Sequence, residues 1–325
     1  MNFILYPIII VFLIISEINA QEINNSQFSI EWMGNFSTEA DVKRDAGIFT
    51  QIFEFVFGES NKKIVKPFNI IKINEESYFI LDQGLCAPVL VSSDGFDFIS
   101  NNEYNYFPSL VGVCNFVENK ILFTDSKLAK VFIYDFLKKD LDIFDVFIKL
   151  DQPTGIVYDF NYNQLYISET SEHKVSVLDV NGNLIKTYGA RGDDIGEFNY
   201  PTFLAVDEYG NLFIVDSMNF RLQIFDKDGN YSYSFGEIGD ATGDFNRPKG
   251  IALDSYGHIF IVDALYHSVQ VFDKAGNFLY NFGGLGRHQS RFWLPAGICI
   301  DNEDNIYIAD SYNSRIQIYK LTNGN

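Results

Sequence analysis

An acidic residue recurs at the end of a short apolar run in six successive segments of the chain. The six residues are Asp82, Asp125, Glu169, Asp216, Asp263 and Asp310. Carboxylates that converge near one axis could bind a divalent metal or serve as general acid and base. They could equally be structural, because a carboxylate can accept hydrogen bonds from several donors of a tight turn. The residues that follow the acids favour the structural role.

A basic residue follows four of the six acids at a spacing of five positions. These bases are Lys130, Lys174, Arg221 and Arg315. A hairpin of that length lets the base fold back onto its own acid, which predicts four ion pairs. The exceptions are Asp82 and Asp263, which Ala87 and Ser268 follow instead. If any of the acids binds a ligand or takes part in catalysis, we expect it to be one of these two. Because Asp263 has no basic partner, Asp263→Ala is expected to lower the stability less than the loss of a paired acid.

Two histidines, His173 and His267, lie four residues after an acid of the series. Histidine is a common zinc ligand, but a three-histidine site needs a third, and no other histidine occupies the equivalent position. The sequence therefore predicts no cofactor. A divalent metal near Asp263 and His267 is kept as an alternative.

Aromatic and basic residues cluster in the turns and connectors around these acids. The aromatic ones are Tyr200, Phe220, Tyr266, Trp293 and Tyr312, and the basic ones are Arg247, Lys249, Arg287, His288 and Arg291. Aromatic and arginine side chains contribute much of the binding energy at protein interfaces, so the cluster predicts a surface for a protein or peptide partner. The candidate ligand-binding residues are Asp82, His173, Phe220, Asp263, Tyr266, His267, Arg287, Arg291 and Tyr312.

The segments that carry the acids are copies of one repeat. Residues 198–201, 245–248 and 292–295 each begin with Phe and end with Pro, and the prolines are 47 residues apart. Weaker copies begin at Pro67, Pro108 and Pro153, which makes six units. Each unit has four runs rich in Val, Ile, Phe and Tyr, here called strands A to D, separated by turns with Asp-Gly or Asn-Gly pairs. This pattern predicts an all-β fold, a six-bladed β-propeller with four-stranded antiparallel blades.

The sixth unit supplies strands A, B and C only. Residues 52–58 match the strands D of other units, so we expect this N-terminal strand to complete the last blade and close the ring, which removes two open sheet edges. The propeller is then expected to span residues 52–325, after an N-terminal extension of residues 21–51. Within that extension, residues 28–33 predict a strand on the outside of the ring or along a blade edge.

The later units resemble NHL repeats, which read Pro-x-Gly-Ile-Ala-x-Asp, then Gly-Asn-Ile-Tyr-Val-Ala-Asp-Ser, then Asn-x-Arg-Ile-Gln-Val-Phe. Residues 248–254 and 305–319 follow that pattern closely, and the resemblance covers about residues 153–321. It implies the propeller fold of exported, bacterial-type NHL-repeat proteins, but no single activity. Exported propeller lyases that make peptide amides resemble this repeat too. They hold zinc through histidines in the channel, and residues 263–267 look like one of their ligand segments.

The charge balance argues against two classes of partner. The chain has 24 Lys and Arg against 43 Asp and Glu, a net charge of −19. Such a field repels phosphate backbones and anionic membranes, so no nucleic-acid partner is expected. No later run is long enough to cross a bilayer, so we expect no integral membrane segment in the mature chain, and a monomer.

Residues 1–20 resemble a signal peptide. The apolar run of residues 3–15 is too short to span a bilayer, and Ile18-Asn19-Ala20 is a plausible cleavage site. Export would place the protein in the periplasm or outside the cell. No basic residue precedes Lys43, so an uncleaved N-terminal anchor is the alternative. The chain has three cysteines, an odd number without metal-like spacing, so a disulfide framework is not expected.

The rim that carries the B–C turns and the D–A connectors is the expected working face. We expect an exported, non-catalytic β-propeller that binds a protein or peptide through this rim. The alternative is a metal-dependent hydrolase or lyase with its site at the mouth of the central channel.

Overall fold

The structure is a computed structural model that describes residues 28–42 and 62–323. The predicted signal peptide, residues 1–20, and the predicted closing strand, residues 52–58, lie outside the described residues. Among those described, no helix is long and apolar enough to cross a membrane. The α-helix found in residues 28–42 and 62–323, Glu39–Val42, is a single turn.

The described strands form six antiparallel sheets of four strands each, arranged as the blades of a ring. Strands A of neighbouring blades contact one another, so strand A is innermost and strand D is outermost. The sheets confirm the predicted six-bladed β-propeller.

The strand bounds, in the order A to D, are as follows. Blade 1 comprises Pro67–Asn74, Ser77–Asp82, Ala87–Ser92 and Gly95–Phe98. Blade 2 comprises Leu110–Phe116, Lys120–Asp125, Lys130–Asp135 and Asp140–Ile143. Blade 3 comprises Pro153–Asp159, Gln164–Glu169, Lys174–Leu178 and Leu184–Tyr188. Blade 4 comprises Pro201–Val206, Leu212–Asp216, Arg221–Phe225 and Tyr231–Phe235. Blade 5 comprises Pro248–Leu253, Ile259–Asp263, Ser268–Phe272 and Phe278–Gly283. Blade 6 comprises Ile298–Ile300, Asn305–Asp310, Arg315–Asn323 and, as strand D, Phe28–Phe36.

The start of blade 2 corrects one detail of the repeat. Pro108 was expected to open that unit, but Leu110 pairs with Asp125 as Pro67 pairs with Asp82. Leu110 therefore takes the position that proline holds elsewhere. A proline spacing alone misses this, because the register follows the acid at the end of strand B.

The phenylalanine of the repeat fills the space left by a glycine. Phe245 is fully buried, and its ring lies where a Cβ on Gly236 would be. Gly236 also has φ of +96°, which favours glycine. The same packing joins Phe198 to Gly189 and Phe292 to Gly283, so each pair fixes the start of a D–A connector.

The strand that closes the ring differs from the one expected. Phe28–Phe36 pairs antiparallel with Arg315–Asn323 and occupies the outer position of blade 6 that residues 52–58 were expected to fill. Closure by an N-terminal strand is thus correct, but the assignment to residues 52–58 is wrong. The alternation of half-buried and exposed residues along Phe28–Phe36 suits a strand with one apolar face, and Phe28, Ile30 and Trp32 pack on the core between blades 5 and 6.

A buried ion pair joins blade 1 to blade 6. Lys72 Nζ lies 2.6 Å from Asp301 Oδ2, and the two side chains are 15% and 8% exposed. Burial alone would raise the pKa of Asp301, but hydrogen bonds from Lys72, Asn305 and the Glu303 amide lower it to about 2. The pair therefore links the first and last blades on the rim opposite the acids.

Replacing Trp32 with alanine tests the closing strand. Trp32→Ala is expected to lower the free energy of unfolding by about 3 kcal/mol, because the side chain packs on the core and donates Nε1–H to Gln317. Met33→Ala is the control, since Met33 lies on the same strand with its side chain exposed, and its expected change is within about 0.5 kcal/mol. Urea unfolding measures both. Similar changes in the two variants would show that Phe28–Phe36 does not close blade 6.

Acid titration tests the seam between blades 1 and 6. The pKa of Asp301 falls from 3.8 to about 2 on folding, so its contribution of about 2 kcal/mol is complete above pH 4 and is lost as the pH falls through 2. The stability difference between the wild type and Asp301→Asn should therefore shrink between pH 5 and pH 2. Unfolding curves of both proteins across that range measure it, and a constant difference would contradict the pairing.

Candidate binding rim and channel mouth

The acids, the B–C turns and the D–A connectors lie on one rim, as predicted. In blade 4, Asp216 at the end of strand B pairs directly with Pro201 at the start of strand A. The same register places Asp263 opposite Pro248. Each acid therefore lies where an incoming connector meets the blade's own hairpin.

All six carboxylates are fully buried at this junction. Asp216 accepts the Asn199 amide of the connector at 2.6 Å and the side chains of Asn219 and Arg221 from its hairpin at 2.8 and 2.9 Å. Asp310 does the same in blade 6. We call this arrangement the carboxylate staple. It satisfies polar groups that would otherwise be buried without partners, which stabilises the turn.

The predicted ion pairs form in three of the four blades. Arg221 and Arg315 lie 2.9 and 2.8 Å from their acids, and Lys174 Nζ lies 3.6 Å from Glu169. The prediction for Lys130 is wrong. Its ammonium donates to the Tyr104 hydroxyl at 2.8 Å and lies over the same ring, so an aromatic residue of the connector replaces the acid as its partner.

Asp82 and Asp263 lack a basic partner, but their oxygens are not free. Asp263 accepts backbone amides from Asn246 and Arg247 on the connector and from Leu265 and Tyr266 in the hairpin, at 2.7 to 3.1 Å. Asp82 accepts four amides in the same way. The expectation that Asp263→Ala would cost less stability is therefore not supported by this geometry, because backbone donors take the place of the base.

His173 and His267 latch neighbouring blades together. Nδ1 of His267 accepts the Leu294 amide of the next connector at 3.0 Å, and Nδ1 of His173 accepts the Tyr200 amide at 3.2 Å. Ser314, at the equivalent position of blade 6, donates to the Val65 carbonyl instead. Burial lowers the pKa of His267, although Asp263 and Asp310 oppose the shift. A neutral imidazole suits this latch, because Nδ1 must accept a hydrogen bond.

Three other predicted site residues also serve the scaffold. The Tyr266 hydroxyl donates to the Gly239 carbonyl and lies 3.2 Å from Asp240 Oδ1. Phe220 packs on the core between blades 4 and 5. Arg291 Nη1 donates to the Gly283 carbonyl at 2.9 Å within its own connector. These contacts support the rim, although Arg291 itself is exposed.

Arg287 and Tyr312, two predicted residues that face solvent, belong to a row of stacked cations and rings. The Arg287 guanidinium lies 4.9 Å from the centre of the Trp293 ring, which is 5.7 Å from the Tyr312 ring. Lys66 Nζ lies 5.0 Å from the other end, over Tyr312. We call these four residues the rim ladder. They join blade 6 to the connector that enters blade 1.

The channel mouth has an aromatic floor and a lysine. Phe68 and Phe203, from opposite blades 1 and 4, stack with ring centres 6.0 Å apart. Lys249 Nζ lies 5.1 Å above the Phe68 ring. Burial and the charges of Arg247 and Lys66 lower the pKa of Lys249 to about 8. Lys249 was expected on an exposed connector, but it is the second residue of strand A and lies inside the mouth.

Sequence reasoning missed Lys66, Phe68 and Phe203 as part of the site. One signal pointed to the mouth, because Lys249 is charged, whereas the residue after the repeat's opening proline, or after Leu110 in blade 2, is uncharged in the other five blades. These residues are Phe68, Val111, Thr154, Thr202 and Ala296. The stacking of Phe68 on Phe203 has no such signal, since it depends on the diameter of the closed ring.

Metal ligands do not gather around the rim. Across residues 28–42 and 62–323, no three His, Cys, Asp or Glu side chains come together as a metal ion would require. The cysteines Cys86, Cys114 and Cys299 are all free thiols, in agreement with the sequence.

Comparison with known proteins agrees with the fold. Residues 292–319 match the NHL repeat family, and residues 205–265 match a family described as a 6-bladed beta-propeller. The chain is therefore a six-bladed β-propeller in which residues 292–319 match an NHL repeat, which agrees with the fold that the resemblance implied. No curated protein matches it in sequence.

Solved structures with the same fold have different roles. Virginiamycin B lyase from Staphylococcus aureus is 13% identical, with a TM-score of 0.58 over 91% of this chain and 100% of that one. An auxiliary nutrient binding protein from Bacteroides thetaiotaomicron is 12% identical, with a TM-score of 0.63 over 80% and 70%. A chain of the nidogen/laminin complex is 15% identical, with a TM-score of 0.55 over 87% and 97%. At these identities the likeness concerns the fold alone.

Asp263→Asn tests the carboxylate staple without removing bulk. The amide nitrogen would face backbone donors, so the free energy of unfolding should fall by about 1 to 3 kcal/mol. Asp193→Asn, at an exposed connector position, is the matched control and should change it by less than about 0.5 kcal/mol. Denaturant unfolding compares them. An Asp263→Asn variant as stable as the control would show that the carboxylate is free for another role.

Proposed function

We propose that this protein is an exported, non-catalytic β-propeller that binds a protein or peptide partner through the rim of B–C turns and D–A connectors. The observation that carries the proposal is that two groups of residues on this rim have different environments. The carboxylates and histidines suited to catalysis are engaged in hydrogen bonds within the scaffold, whereas aromatic and basic groups face solvent.

The exposed groups on this rim have the chemistry of a protein interface. The large apolar side chains exposed there include Tyr106, Tyr200, Met218, Leu265 and Tyr312. The rim ladder adds Arg287 and Trp293, and Trp, Tyr and Arg are the residue types that contribute most to binding hot spots. Export rests on residues 1–20 alone, and places the partner in the periplasm or outside the cell.

The fold comparisons are compatible with a binding role. One similar chain comes from the nidogen/laminin complex, and another is described as an auxiliary nutrient binding protein. Another similar structure is a lyase. The enzymatic alternative for this chain is a metal-dependent hydrolase or lyase with its site at the channel mouth. His267 would be its first ligand here, but its Nδ1 already accepts the Leu294 amide.

Site-specific photocrosslinking tests the binding rim. The photoreactive residue p-benzoylphenylalanine in place of Leu265 is expected to yield a discrete adduct with a polypeptide in cells that naturally produce the protein. The same residue in place of Tyr209, which is exposed on the opposite rim, is the control and should yield none. Tyr312→Ala should reduce the adduct formed at position 265, because it removes the centre of the rim ladder.

Two outcomes would contradict the proposal. Equal adducts at positions 209 and 265, or none at 265, would argue against a partner on this rim. Elemental analysis addresses the alternative, since a stoichiometric metal that is lost in both Asp263→Asn and His267→Ala would favour an enzyme.

A further inference from the structure

We propose that the channel mouth is an anion-binding site that takes a carboxylate of the bound peptide, with the Lys249 ammonium as its central contact. The inference deepens the proposed function and rests on it for the identity of the ligand as a peptide. The anion site itself rests only on the groups at the mouth.

Two further cations, Arg247 and Lys66, lie close enough to Lys249 to act on its charge. Lys249 lies on strand A of blade 5, Arg247 on the connector just before it, and Lys66 on the connector that enters blade 1. The protein as a whole carries a net charge of −19. A local concentration of positive charge at a concave mouth attracts anions against that background.

Lys249 has no anionic partner among the described residues. The groups that act on its charge are two cations, Arg247 and Lys66, and no carboxylate. The strand-B acids of blades 5 and 1, Asp263 and Asp82, direct their oxygens at backbone amides. A half-buried ammonium in such a setting is poorly compensated, which is why burial and the two like charges lower its pKa to about 8. An incoming carboxylate would supply the missing charge.

The floor of the mouth defines the rest of the ligand. The rings of Phe68 and Phe203, from opposite blades, stack on each other, and the Lys249 ammonium lies over the Phe68 ring. A bare ion would leave the Phe68 ring in contact with water, whereas a carboxylate attached to an apolar group could cover it. A peptide C-terminus or an acidic side chain beside an apolar residue has this form, and the rim ladder leads to the mouth through Lys66.

Calorimetric titration with small probes tests the site independently of any partner. Hippurate, an aromatic acyl glycine with a free carboxylate, is expected to bind the full-length mature protein, and its uncharged amide, hippuramide, is expected not to bind. Phenyl phosphate, an aromatic phosphate, tests whether the site prefers a phosphate to a carboxylate. Tighter binding of phenyl phosphate than of hippurate, or equal binding of hippurate and hippuramide, would overturn the proposal.

Substitution of Lys249 locates the site. Lys249→Met keeps the length and apolar contacts of the side chain and should weaken hippurate binding about tenfold or more, the loss expected for a charge-assisted hydrogen bond. Lys186→Met is the control, because Lys186 also lies over an aromatic ring, that of Tyr188, outside the channel. Unchanged hippurate affinity in Lys249→Met would overturn the proposal. If that variant does not fold, Lys66→Met and Arg247→Met, at half-buried and exposed positions, should each weaken binding several-fold, and no effect of either would count against the site.

The pH dependence gives a second readout. The pKa of Lys249 is lowered to about 8, so loss of hippurate binding between pH 7 and pH 9.5 would report the deprotonation of Lys249. Affinity that does not change over this range would contradict the assignment to Lys249. Hippurate binding without a rim photocrosslink would support the anion site and contradict the peptide partner. A rim photocrosslink without hippurate binding would support the peptide partner and contradict the anion site.

Discussion

The carboxylate at the end of each strand B is the interaction on which the ring depends. It lies where a connector from the preceding blade meets the hairpin of its own blade, and it accepts donors from both. The staple therefore fixes how each strand A enters the sheet, and strands A form the inner wall. Because the carboxylates are fully buried, leaving their donors unpaired is costly, and in each of the six blades the acid accepts an amide of the incoming connector.

Much of this architecture follows from the sequence, because the repeat records local constraints. Six four-stranded blades, and the rim on which the acids lie, can be predicted from three features of the repeat. These are the Phe and Gly of the connectors, the acid at the end of each strand B, and the Asp-Gly or Asn-Gly pairs of the turns. The closing strand was assigned wrongly, since residues 52–58 and Phe28–Phe36 both read as edge strands. Only the register against Arg315–Asn323 distinguishes them, and that register depends on contacts between distant parts of the chain.

The site was harder to predict than the fold for the same reason. The absence of a base after Asp82 and Asp263 suggested free carboxylates, but backbone amides are invisible in a sequence and they satisfy both acids. The channel mouth depends on side chains from blades 1, 4 and 5 that meet only after the ring has closed. In such a propeller, the side chains available to bind a ligand are those that differ from the residue usual at their position in the repeat. Lys249 is the clearest example, because the equivalent residues of the other five blades are uncharged.

The central claim is that the acids of the rim hold the scaffold together and leave binding to the residues around them. Residue-resolved hydrogen exchange of the amides of Asn199, Asn246 and Trp293 tests it most directly, because each donates to a carboxylate at 2.6 to 2.8 Å although it lies in a connector. The account predicts protection comparable to that of the central strands. Exchange of all three as fast as the exposed amide of Asp193 would contradict it, and would leave the carboxylates available for a metal or a substrate.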